Sequence, residues 1–276
     1  MRVDAALEGS VAVSSGRVRI NVHLIYAQLE HPLWSQSYER ALSDIVSLQR
    51  EIALAVAHPS QLTLTPSERM RLAKTRPVYP RVQLAYSQGY YLYWNRRTPE
   101  DLQRAIQYFQ SAVHDDPAYA PAFVGLARSY HVMGAAYSGT RSPVELHPME
   151  RAAAQKAVEV DPDLVGGHAA LAALAYEAYD WSAGQLHADR AIALNPNHAE
   201  TRAGYGQMLA AAGKFDEAVI QARLAHEIDP ISPIIGTSLG FILEMAGQYE
   251  PAIQQLLRVR ELDPNYNAAA WFLAGT

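Results

Sequence analysis

Gly236-Thr237-Ser238-Leu239-Gly240 has the form G-x-S-x-G, the nucleophile elbow of serine hydrolases. That chemistry needs a strand running into a sharp turn, so that the serine stands exposed above an oxyanion hole, with a histidine and a carboxylate in reach. His226 with Asp229 or Glu244 are the partners this sequence offers. The ten histidines raise a second chemistry, metal ligation, with His168 and His187 expected to face each other across one repeat and His131 on a neighbouring surface. Against it, no His-x-x-x-His or His-Glu-x-x-His spacing occurs, and there is no cysteine to supply a thiolate. Gly166-Gly167 is followed by His168 with no lysine, so no phosphate-binding loop is present either. The sequence therefore reads as having no metal site and no cofactor, with Ser238 the candidate nucleophile.

Whether Ser238 can be a nucleophile depends on the element that carries it. Asp161-Pro162, Asn195-Pro196, Asp229-Pro230 and Asp263-Pro264 recur every 34 residues, and Asp116-Pro117 lies 45 before the first. Proline disfavours α geometry in the residue before it and cannot donate to the preceding turn, so each pair ends a helix. With each proline set as position 32, position 8 is small throughout: Gly89, Ala127, Ala172, Gly206, Gly240. Position 20 is Ala105, Glu150, Gly184, Ala218 and Ala252, and position 27 is Ala112, Ala157, Ala191, Ala225 and Val259. Small residues at 8 and 20 let paired helices approach backbone to backbone, and the aromatic at 17 (Trp181, Phe215, Tyr249) is expected to plug the gap beside the turn. Gly240 is then a position-8 packing residue, and Ser238 falls inside a helix.

This pattern resembles the tetratricopeptide repeat family, a helix-turn-helix unit that buries its apolar face only by stacking on neighbours. The expected fold is a mostly α solenoid of about five units, preceded by a short α/β segment with a β-hairpin. The expected domains are 1–60 for the α/β segment, 61–81 for a linker helix and 82–276 for the solenoid, with units 82–119, 120–164, 165–198, 199–232 and 233–266 and a partial sixth at 267–276. The first unit has four extra residues around Trp94–Glu100, and the second has eleven around Ala135–Pro148 that read as a surface loop. Trp271, Leu273 and Ala274 look like the first turns of a sixth unit cut off in mid-helix, so the natural chain is expected to continue.

The resemblance implies a concave groove lined by the first helix of each unit, at positions 2, 5, 9, 12 and 13. Carried over, these are Tyr86, Tyr90, Tyr93 and Trp94, then Val124, Arg128, His131 and Val132. Tyr176 and Glu177 follow, then Glu200 and Gln207, and last Phe241, Glu244 and Met245. Clustered tyrosines and a tryptophan supply large, rigid contact area. Tyr91 and Leu92 are read as core. The family's grip on a C-terminal carboxylate uses Lys and Asn at set positions, where this chain has Tyr86 and Tyr90, so that mode is not expected.

Before the repeats, Val3–Val13 and Arg17–Tyr26 are rich in β-branched residues, with Val18, Ile20, Val22 and Leu24 alternating with polar ones. Ser14-Ser15-Gly16 between them predicts a hairpin, Leu33–Arg40 a third strand, and Ile45, Leu48, Ile52 and Val56 a helix capped by Ser43-Asp44. Leu64–Glu68 is expected to open a linking helix through Leu72. Leu7-Glu8-Gly9-Ser10-Val11, Arg17-Val18-Arg19-Ile20 and His31-Pro32-Leu33-Trp34-Ser35 resemble the C-terminal half of the TolB amino-terminal, or FlgO-like, domain. That domain precedes such repeats in bacterial multidomain regulators. The family's earlier strands and helix do not precede the hairpin here, which leaves an apolar face and a strand edge for a second copy of the chain to cover. The rival expectation folds the hairpin onto the first repeats, burying Leu7, Val11, Val18 and Ile20.

Composition narrows the rest. A net charge of −5 argues against nucleic acid as the main ligand. Arg96-Arg97 and the group Arg69, Arg71, Lys74 and Arg76 read as solvated helix faces. No apolar run approaches the roughly 20 residues of a membrane span, and Met-Arg-Val-Asp lacks a signal peptide's apolar core. The expectation is a cytoplasmic interaction scaffold within a signalling or regulatory protein, with a protein or peptide partner and homodimerisation through the hairpin. A hydrolase or esterase using Ser238 is the alternative.

Overall fold

A computed structural model describes residues 5–26, 31–41, 45–57, 78–96, 98–134 and 141–275. Two compact units divide the chain, Met1–Leu84 and Ala85–Thr276. The linking helix expected from Leu64 to Leu72, the basic group 69–76 and the cap Ser43-Asp44 lie outside the described residues.

The first unit holds β1 (Ala5–Ser14), β2 (Arg17–Tyr26) and β3 (His31–Ala41) in an antiparallel sheet of order β1-β2-β3, followed by α1 (Ile45–Ala57). Ser15 and Gly16 both take positive φ, 51° and 74°, the two-residue turn whose twist matches the flanking strands. The register places Leu7 opposite Leu24, Val11 opposite Ile20, and Tyr38 opposite Ile20 on the far side. Val18, Val22, Tyr38 and Leu48 form the core, with Ile20, Trp34, Ile52 and Val56 packed on it. Leu7 and Val11 are exposed. Within this unit α1 packs on the sheet through β2 and β3, and Leu7 and Val11 of β1 lie outside that contact.

The helical unit runs α2 (Pro80–Trp94, entered just before the division), α3 (Pro99–Asp115), α4 (Ala120–Gly134), α5 (Pro143–Val160), α6 (Val165–Glu177), α7 (Trp181–Leu194), α8 (Ala199–Ala211), α9 (Phe215–Ile228), α10 (Pro233–Met245), α11 (Tyr249–Leu262) and α12 (Asn267–Leu273). The Asp-Pro and Asn-Pro pairs end α3, α5, α7, α9 and α11, with Asp116, Asp161, Asn195, Asp229 and Asp263 as C-caps. At four of these stops the Asx oxygen also accepts from the backbone N–H two residues on, at 3.1 Å, which turns the chain into the next unit. Position 15 is left-handed in three units, at Tyr179, Gly213 and Gly247. Small residues at position 8 are required by contact: a Cβ on Gly240 would lie 2.7 Å from Leu256, and one on Gly206 3.1 Å from the Ala218 carbonyl oxygen.

Three expectations change. Residues 143–148 are helical, not loop, because Ser142 and Pro143 start α5 early and Leu146 is buried beneath it. Tyr91 is exposed, not core; the end of α2 turns Tyr93 and Trp94 inward instead. Trp181, Phe215 and Tyr249 each open the second helix of their unit with a face left to solvent, so they cover the turn and do not plug it.

Candidate functional site: the concave groove

The small side chains Ala169, Ala170 and Ala173 of α6 leave a hollow over the middle of the array. They floor a cavity of about 200 Å³ whose walls are Tyr93 and Trp94 of α2, Arg128 and His131 of α4, Glu150 of α5, Glu200 and Gln207 of α8, and Ser238 of α10. Arg128 and Glu200 meet at 2.6 Å above this floor, joining the second unit to the fourth over the helix of the third. Burial works against the guanidinium, but Glu200 and the nearby tyrosines outweigh it and hold Arg128 above its ordinary value. Trp94 Nε1 is buried with no hydrogen-bond partner among the described residues. A second cavity of about 420 Å³ lies between the two ends of the array, where Trp94, Arg96, Pro99 and Leu102 face Pro233, Ile234, Tyr266 and Ala268.

Of the groove residues carried over by position, the structure brings Tyr93, Trp94, Arg128, His131, Glu200 and Gln207 together around the floored cavity. Tyr86 stacks in a ring cluster with Tyr90, Phe109 and Tyr119 near Arg128, and burial pushes its phenol up to about 12. Tyr176 packs on Trp181 at 5.2 Å between ring centres, while Phe241 and Met245 pack on the core of the last units. Glu244 keeps one buried carboxylate oxygen unpartnered at the end of α10. Glu177 turns to His131 and His147.

Ser238 sits inside α10, buried, its hydroxyl accepting from Gln207 Nε2 at 3.0 Å. The strand-to-turn geometry of a nucleophile elbow is replaced here by regular helix, and nothing around the hydroxyl supports the hydrolase alternative.

His168 and His187 do meet, Nδ1 to Nδ1 at 3.1 Å, and His168 Nε2 lies 2.9 Å from the Pro162 carbonyl oxygen. That oxygen can only accept, so His168 donates to it from Nε2, and one of the two facing Nδ1 atoms carries the hydrogen they share. A separate group escaped motif reasoning: His131 Nδ1 lies 3.3 Å from Glu150 Oε1 and 3.3 Å from Glu177 Oε1, and His147 Nε2 lies 3.1 Å from Glu177 Oε2. Its members come from α4, α5 and α6, and only His147 and Glu150, one turn apart on α5, are close in sequence. Burial lowers His131, but the hydrogen bond and charge of Glu150 and the charge of Glu177 raise it above its ordinary value. Burial raises Glu177, against the lowering pull of His131.

Three other histidines go down. Burial and then His168 lower His187. Burial lowers His226, with Arg258 adding to it. Burial also lowers His198; Glu200 opposes this and Arg128 reinforces it. His198 is the N-cap of α8, its Nδ1 accepting from the Thr201 backbone N–H at 3.2 Å, which protonation would abolish. A depressed histidine contributes stability that is present above the unfolded value of about 6.5 and lost as pH falls through the folded one. His131, raised, works in the opposite sense. Thermal unfolding is expected to show a lower midpoint at pH 5 than at pH 7, and His198→Asn, a cap that does not titrate, is expected to shrink the drop. An equal drop in that variant would clear His198 of any part in it.

No protein-family model matches the chain. A thermophilic TPR protein from Thermus thermophilus superposes with a TM-score of 0.57 at 18% identity, over 70% of this chain and 97% of that one. The helical unit is a tetratricopeptide solenoid. The MamA protein is a looser likeness, with a TM-score of 0.40 at 19% identity over 67% of this chain and 92% of that one. In sequence, the chain is 28% identical over 123 residues to "Putative adenylate cyclase 3" of Rhizobium meliloti (strain 1021), an alignment covering 44% of this chain. The chain spans 20% of that relative's length. Among the described residues no helix is long and apolar enough to cross a membrane.

Proposed function

We propose that the chain is a protein-interaction scaffold that holds an extended peptide segment of a partner in the concave groove. The observation that carries this is a single cavity lined from all five complete repeats. Tyr93 and Trp94 give a rigid aromatic wall for an apolar side chain, and the unpartnered Trp94 N–H offers a donor to a peptide carbonyl. Arg128, Glu200 and the Gln207 amide supply polar groups that fix direction along the groove. No bond is made or broken.

Panning a displayed peptide library against the chain tests this directly. The expected peptides lose binding at least about tenfold in Trp94→Ala and in Gln207→Ala, the scale of an interface anchor of more than about 1.4 kcal/mol. Peptides that bind both variants as tightly as the unchanged chain would place the site elsewhere.

The same reading sets the chain in a cytoplasmic bacterial regulatory or signalling protein. Its supports are the TolB/FlgO-like strings of the first unit and the partial likeness to the Rhizobium meliloti protein. Homodimerisation through the first unit belongs with it, since Leu7 and Val11 stand exposed on β1, which among the described residues is paired on one side only. A monomer in light scattering would remove the dimer from this reading.

A further inference from the structure

We propose that His131, Glu150 and Glu177 bind a divalent cation of the zinc class, with His147 orienting Glu177 from outside. Four of the five position-20 residues are alanine or glycine, yet Glu150 occupies that position in the second unit with 1% of its surface exposed. A buried carboxylate is expensive unless its charge and both oxygens are met. Glu150 Oε1 has His131, whereas Oε2 has no hydrogen-bond partner among the described residues. One donor atom from each of His131, Glu150 and Glu177 lies within 4.8 Å of the other two.

The separations also suit a ligand set. A charge-assisted N–H···O bond closes to about 2.7–2.9 Å. Both His131 contacts stand at 3.3 Å. Ligands about 2.0–2.1 Å from a tetrahedral zinc are separated by an edge of about 3.3 Å. Imidazole with two carboxylates suits zinc or a neighbouring late divalent ion better than magnesium or calcium, which take oxygen sets. His147 lies one helical turn before Glu150 on α5 and bonds the other oxygen of Glu177, the place of an outer partner that fixes a ligand's orientation. The segment of the second unit that exceeds the repeat length supplies the turn of α5 on which His147 sits, so the site is particular to this unit.

The test is calorimetric titration of the whole EDTA-treated chain with zinc chloride, alongside cobalt(II) absorption and magnesium as a control. One zinc per chain is expected, with the intense visible bands of tetrahedral cobalt and no heat from magnesium. Glu150→Gln and Glu177→Gln are each expected to weaken zinc by at least about tenfold, and His147→Gln by about 10–100-fold. Glu177 is at the exposed end of α6, so its variant keeps the test valid if Glu150→Gln does not fold. No zinc binding, an octahedral cobalt spectrum, or zinc binding unchanged in Glu177→Gln would each overturn the proposal. The last outcome would direct attention to His168 and His187.

Discussion

Phe109→Ala is expected to destabilise the helical unit by about 3–5 kcal/mol, read as a lower urea midpoint with the slope unchanged. Phe109 is fully buried on α3, and the helices on either side are shaped to its ring. A Cβ on Gly89 of α2 would lie 2.9 Å from that ring, and one on Gly125 of α4 2.5 Å from it. Two glycines thus make room for one phenyl, and its loss leaves a void that neither backbone can collapse to fill. The converse substitution, Gly125→Ala, forces a methyl into the ring and is expected to destabilise by about 1–3 kcal/mol. Combining it with Phe109→Leu, whose smaller side chain yields, should cost less than the sum of the two single changes. Strict additivity would mean that the ring and the glycine do not share a contact.

The two partners of the Glu150–His131 pair are expected to respond with opposite signs in the metal-free chain. Replacing Glu150 by leucine removes a buried charge and one unpartnered oxygen while keeping the volume, so stability should be unchanged or rise by about 1–4 kcal/mol. His131→Ala leaves the carboxylate buried without its counter-charge, which costs about 3–5 kcal/mol for a fully buried pair. The lower end applies, about 3 kcal/mol, because the His131 side chain is 39% exposed and water relieves part of the penalty. Urea unfolding of both variants in EDTA checks this. Destabilisation by Glu150→Leu as large as that by His131→Ala would mean that the carboxylate stabilises the metal-free fold, contrary to the desolvation argument.

The parts of the fold that were legible in the sequence are those governed by local backbone rules. Asx-Pro stops fix where the second helices end, and Ser15-Gly16 fixes the hairpin, since each acts on its own few residues. Position-8 glycines were legible because the constraint repeats at one period. The site was less so. Tyr93, Trp94, Arg128, His131, Glu200 and Gln207 were reached by carrying groove positions over, whereas the ring cluster of Tyr86 and Tyr90 with Phe109 and Tyr119 depends on packing between helices that no single position encodes. Ser238 misled because a five-residue string carries no information on whether a strand or a helix holds it. Glu150 looked like a break in the small-residue pattern, and only the packing of α4, α5 and α6 reveals what stands opposite it.

Ala169, Ala170 and Ala173 give the groove its depth by having almost no side chain. Each is half-buried and faces the cavity, where a bulkier residue would fill empty space with little to displace. On the proposed reading of the groove, single codon changes on α6 would alter what it holds, with the glycine and phenylalanine packing of the array left as it is. A surface arranged this way separates the residues under selection for folding from those free to drift toward a new ligand.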